Sequence, residues 1–159
     1  MPTPTLVPAR TGLTLTVLSD RVTYKTSGAE TAGAWALFEV ESPPGSAVPL
    51  HRHDWDEAYY VLEGEIEFDL GGRKERASPG AYVRIPARAP HAMATSSPTP
   101  ARYLLWASPC GADAFFVELE QASKEAGFGV ERVLSVAAKH GIEVLAPGVE
   151  PSRASRPSV

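Results

Sequence analysis

The chain has 159 residues, 43% hydrophobic and 21% charged, with a formal net charge of -4 at pH 7. That length supports one domain with a real core and not two ordinary ones, and the composition is that of a folded globular chain. The charge is mild and forms no basic stripe to neutralise phosphates, which argues against nucleic acid as a partner.

Residues 1–12, "MPTPTLVPARTG", are rich in Pro and Thr and read as a flexible N-terminal segment. They lack the basic start and apolar stretch of a signal peptide. From residue 13 to 108 the signal is β. "LTLTVLSD", "AWALFEVE", "AYYVLEG", "EIEFDL", "AYVRIP" and "ARYLLWAS" are short runs rich in β-branched, aromatic and aliphatic residues. "SPPGSAVP", "GG", "SPG" and "SSPTP" punctuate them as turns, the pattern of a sandwich or barrel. Arg73, Lys74 and Arg76, interrupted by Glu75, read as a solvated turn.

Residues 109–146 change to a helical period. Phe115, Phe116, Leu119 and Ala122 recur at three- and four-residue steps, with Asp113 as the expected N-cap and Gly127 as the expected stop. A second helix carries Val130, Val133, Leu134 and Ala137 and ends at Gly141. His140 falls in its last turn, where exposed carbonyls favour a cation. Residues 147–159, "PGVEPSRASRPSV", read as a disordered tail. Cys110 is the only cysteine, so a disulfide within the chain is excluded and an inert thiol is expected. No run approaches the ~18 apolar residues of a membrane-spanning helix. The expected location is the cytoplasm, with no membrane partner.

The chemistry concentrates in "HRHDWDEAYYVLEGE", residues 51 to 65. Alternate side chains of a strand share a face, so His51 and His53 point the same way. Asp54-Trp55-Asp56 reads as a turn, after which Glu57 opens the next strand beside the histidine pair. His91 follows "RIPARAP" at the start of another extended segment. Burying such groups unpaired is costly. Three imidazoles and a carboxylate that converge form a first-row transition-metal site, and the missing thiolate argues against a closed structural zinc site.

These segments resemble a known family. "GSAVPLHRHDWDEAYYVLEG" is similar to the first cupin motif, with Gly45, His51, His53, Glu57 and Gly64 at its spacing. "GAYVRIPARAPHAMAT" resembles the second, with Gly80, Pro86 and His91 in place. Arg88 stands where a glycine is common and Thr95 where an asparagine is common. The resemblance implies an all-β fold, a cupin-type double-stranded β-helix (jelly-roll) barrel over 13–108 with a short two-helix C-terminal extension. It further implies one divalent transition-metal ion (Fe, Mn, Ni, Zn or Cu) held by His51, His53, Glu57 and His91, and a homodimer. The extension looks like that of small single-domain cupins similar to flavonol (quercetin) dioxygenases.

Strand parity then gives an expected cavity lining of Phe38, Tyr59, Val61, Met93 and Thr95, with Ala34, Ala36, Phe38 and Val40 facing inward on one strand. The expected function is a metal-dependent enzyme acting on a small aromatic or polyketide-like molecule. A dioxygenase-type oxidoreductase is the leading form, with Glu57 as the catalytic proton acceptor. The alternatives are a non-oxidative isomerase or cyclase and a non-catalytic cupin that binds a small ligand.

Overall fold

The computed structural model describes residues 3–145. The tail expected over 147–159 lies outside the described residues. In chain order the strands are β1 (Thr14–Val17), β2 (Asp20–Thr26), β3 (Ala36–Ser42), β4 (Ala47–Arg52), β5 (Asp56–Glu63) and β6 (Ile66–Leu70), then β7 (Lys74–Ala77), β8 (Tyr82–Ile85), β9 (His91–Thr95) and β10 (Ala101–Ser108). Helices α1 (Ala112–Ala122) and α2 (Val130–Lys139) follow, and β11 (Glu143–Val144) closes the described chain. The strands form two antiparallel sheets, β1-β2-β3-β10-β5-β8 and β11-β4-β9-β6-β7, facing each other as a jelly roll. No helix among the described residues is long and apolar enough to cross a membrane.

Period-two alternation builds the interior. Ala36, Phe38 and Val40 on β3, Tyr103, Leu105 and Ala107 on β10, and Glu57, Tyr59 and Val61 on β5 are all buried. Register arranges them in rows across the first sheet. Phe38, Leu105 and Tyr59 form one row, and Val40, Tyr103 and Val61 the next. The row that contains Glu57 runs Ala36, Ala107, Glu57 and Ile85. Glu57 thus stands between the small Ala107 and the buried Ile85. In the opposite sheet Phe68 sits beside Met93 and Ile66 beside Thr95, which fills the other end of the barrel.

The helices close the side that the strands leave open. α1 packs on β1, the edge of the first sheet, and α2 packs on β11, the edge of the second. Phe116 meets the Phe38 ring edge-on at 5.2 Å, and the Tyr24 hydroxyl donates to the Asp113 carbonyl at 2.7 Å.

Several sequence expectations are corrected. β2, β7 and β11 are additional strands. The segment read as a solvated turn at Arg73, Lys74 and Arg76 places Lys74 and Arg76 on edge strand β7, while Gly71 and Gly72, both with positive φ, lead into it. Ala34 precedes β3 and is exposed. Asp113 does not cap α1, which starts after Gly111; its carboxylate accepts the Gly28 N–H at 3.0 Å instead. α1 stops at Ala122, ahead of Gly127, where the Ser123 hydroxyl takes the Glu120 carbonyl. His140 caps α2 with its Nε2 2.8 Å from Glu118 Oε2, so a carboxylate and not only the helix end holds it. Burial, and then the nearby Asp113 charge, push the Cys110 thiol up and away from reactivity.

Gly64 shows how tightly the β5–β6 turn is seated. It has φ 71°, and a Cβ there would lie 2.7 Å from the Pro100 carbonyl oxygen. Gly64→Ala is expected to cost roughly 2 kcal/mol or more, lowering Tm by about 5 °C or more in a thermal melt.

Candidate metal centre

β4 and β9 pair with His51 directly opposite His91, which sets their rings 4.1 Å apart. His53 lies one residue beyond the end of β4, its ring 5.5 Å from that of His51 and 5.0 Å from that of His91. Potential ligand nitrogens from the three rings all lie within 4.8 Å of one another. Relative exposure is 9% for His51, 2% for His53 and 1% for His91.

Each ring is fixed in the same way. Nδ1 of His51 bonds the Pro49 carbonyl at 2.8 Å, that of His53 the Trp55 carbonyl at 3.0 Å, and that of His91 the Ala89 carbonyl at 2.9 Å. A carbonyl only accepts, so the proton sits on Nδ1 and each Nε2 keeps its lone pair. The Nε2 atoms of His53 and His91 are fully buried without a hydrogen-bond partner. Unsatisfied acceptors at such depth are costly, and a cation between them would satisfy both. These residues therefore fit a divalent transition metal.

Glu57 stands against this group, with Oε1 3.3 Å from His53 Nε2 and Oε2 3.6 Å from His91 Nε2. Two donors aim it. Trp55 Nε1 donates to Oε1 at 2.9 Å, and the Tyr59 hydroxyl donates to Oε2 at 2.6 Å. Burial alone would raise the Glu57 carboxyl; positive charge on the His53 and His91 rings overcomes it and holds the group well below the usual carboxylate range, and a cation between the neutral rings acts in the same direction. Burial first, and then the Glu57 charge, drive the Tyr59 phenol well above its ordinary value, so it remains a donor.

Sequence reasoning passed over Trp55 as a turn residue. It is buried, stacks on the His53 ring at 4.1 Å and 6°, and holds Glu57. A large aromatic between two aspartates was the available signal, since a solvated turn has no need of one. Gly111 makes room for it, because a Cβ at that position would lie 2.6 Å from the indole. Arg88, at the glycine position of the motif, takes φ 67° all the same, and its N–H donates to the His53 carbonyl at 2.7 Å. The left-handed turn survives the substitution, and the Arg88 guanidinium reaches Asp54 and Glu143.

A cavity of about 170 Å³ opens from the histidines into the barrel. His51, His53, Glu57, Tyr59 and Met93 line it, and Phe115, Phe116 and Val133 of the helices form its outer wall. Phe38, Val61 and Thr95 do not. The Phe38 ring is enclosed by Tyr24 and Phe116, Val61 is sealed in the row of Tyr103, and Thr95 sits beside Ile66 in the filled end. The expected lining is corrected at those three positions.

Residues 38–107 match the Cupin domain family. The barrel has the cupin-type jelly-roll fold. The polyketide cyclase RemF from Streptomyces resistomycificus superposes with a TM-score of 0.61 at 26% identity, over 68% of this chain and 81% of that one. KdgF from Halomonas sp. superposes at 0.62 with 21% identity, over 70% of this chain and 99% of that one, a likeness of fold alone. Dimethylsulfoniopropionate lyase DddQ from Ruegeria pomeroyi is 36% identical over 72 residues, 45% of this chain and 36% of that protein. The chain spans 36% and 60% of the lengths of the two curated relatives it matches.

The metal-free protein should be acid-sensitive. Burial, and then the neighbouring His91, lower His51 from its ordinary 6.5 to about 4. Between those values the unfolded chain binds a proton that the folded chain refuses, so folded stability is full above pH 6.5 and falls towards pH 4. Urea unfolding across that range should show a loss of up to about 3 kcal/mol, and His51→Gln should flatten it.

Proposed function

We propose that this cupin is a metal-dependent enzyme that moves a proton on a small, mostly apolar molecule, in the manner of a lyase, cyclase or isomerase. The observation that carries the reading is that His51, His53 and the Glu57 carboxyl face one apolar-walled cavity, while the unpartnered Nε2 of His91 lies 3.6 Å from that carboxyl. His51, His53 and His91 would hold the ion, with Glu57 beside them. A divalent metal there supplies a Lewis acid for a substrate oxygen. Glu57 receives the substrate proton and returns it. Trp55 and Tyr59 keep its carboxylate pointed at the reacting carbon. The apolar wall of α1 and α2 excludes water from that exchange.

Two relatives support the non-oxidative form, because one is described as a polyketide cyclase and the other as a lyase. The dioxygenase-type reading is favoured by a different feature. Three grouped imidazole nitrogens leave further positions on a five- or six-coordinate ion for both substrate and dioxygen.

Metal analysis tests the shared part. The purified wild type is expected to carry about one transition-metal ion per chain, and the His51→Ala, His53→Ala double variant to lose it. Equal occupancy in the two preparations would remove the metal centre. Once a substrate is turning over, mass balance separates the two chemistries: no gain of oxygen atoms is expected, and incorporation of both atoms of dioxygen would favour the oxidative form.

A further inference from the structure

The cavity has a second polar end. Where β1 turns into β2 through Leu18 and Ser19, the Asp20 side chain faces the same space as the histidines. Ser46, just before β4, donates its hydroxyl to Asp20 Oδ1 at 2.6 Å and accepts from the Ser19 hydroxyl at 3.2 Å. His51 lies five positions further along the chain, so strand rise puts its backbone roughly 15 Å from that of Ser46. Between the two ends the wall is apolar, with Val22, Val40, Leu105 and Phe116 prominent.

Asp20 differs both from the half-buried acids held by cations and from Asp69 and Asp113, which accept from backbone N–H groups. Glu39 pairs with Lys25 and Arg102, and Glu118 with Lys139 and His140. Among the described residues Asp20 has hydroxyl neighbours alone and no cation, and burial pushes its carboxyl up. A tie between the hairpin and Ser46 does not require a charge, since an asparagine amide oxygen accepts the same hydrogen bond. A carboxylate without a counter-ion, turned into an apolar cavity, is suited to a donor that arrives with a ligand.

We propose that Asp20 is the specificity-determining residue for the far end of the substrate, where it accepts a hydrogen bond from a hydroxyl or ammonium group. The inference rests on the metal-dependent reading above and narrows its substrate class. The molecules concerned have an oxygen-bearing head at the histidines, an apolar body, and a hydrogen-bond donor at the opposite tip.

Three benzohydroxamic acids carrying para-hydroxymethyl, para-aminomethyl or para-ethyl groups share one metal-binding head and differ only at the tip. They are titrated calorimetrically into the Co(II)-loaded protein, after Co(II) uptake has been measured. At least one donor probe is expected to bind the wild type about fivefold or more tightly than the ethyl probe, since a hydrogen bond to a charged acceptor is worth at least that. Asp20→Asn, with its one amide oxygen held by the Ser46 hydroxyl and its NH2 turned to the cavity, should abolish that preference and leave the ethyl probe's affinity unchanged. A smaller wild-type preference, or one that persists in Asp20→Asn, overturns the assignment. Should the variant fail to fold, the Asp20 carboxyl carbon NMR signal of the wild type decides. It should move with the preferred donor probe and stay still with the ethyl probe, and equal movement overturns the assignment. Absence of stoichiometric Co(II) uptake overturns the metal-centre reading and this one together. Full uptake without tip preference overturns this one alone.

Discussion

Three hydrogen bonds to backbone carbonyls set the chemistry of this barrel. Because Pro49, Trp55 and Ala89 each accept from the Nδ1 of a histidine two residues away, the proton of every ring is committed to the main chain. The other nitrogen of each ring is left as a bare lone pair. The carbonyls belong to the interior of β4, to the bend before β5 and to the loop before β9, so the barrel framework itself selects the tautomer. Two of the three lone pairs are then sealed from water with nothing to accept from. A fold with only structural demands would fill that region with hydrocarbon, as it does around Ile66 and Phe68.

The same barrel manages volume in a graded way. Where Glu57 lies, its row neighbours across the sheet are Ala107 on one side and Ile85 on the other. One row on they are Phe38 and Leu105, and the next brings in Tyr103. The cavity runs along these larger side chains, lined by Val40, Tyr59, Tyr103 and Leu105 of the first sheet. Trp55 joins the two requirements. Its ring fills space against His53 while its N–H orients the carboxylate.

Much of this was legible in the primary structure because it is periodic. The inward alternation of Phe38 and Val40, of Glu57 and Tyr59, and of His91 and Met93 follows from a repeat of two, and the structure buries all six side chains. The spacing of His51, His53 and His91 pointed to residues that do stand together. What escaped was set by contacts distant in the chain. β2 reads "DRVTYKT", with charges and threonines that mask its alternation, and β7 is an edge strand whose side chains are almost all in water. Asp113 has the character of an N-cap, yet the Gly28 N–H, eighty-five residues away, claims its carboxylate. Phe38, Val61 and Thr95 share the right parity and are still shut off from the cavity, because parity names a face and says nothing of depth.

The helical segment bridging β1 and β11 has a consequence for how such a protein can change. It furnishes an outer wall, through Phe115, Phe116 and Val133, yet contributes no imidazole and no part of the carboxylate's support. Reactive groups and enclosing groups are therefore encoded in separate stretches of the chain. Drift in the second stretch can resculpt what is admitted while the first is inherited intact, so descendants of this scaffold are free to trade clientele without reinventing their toolkit.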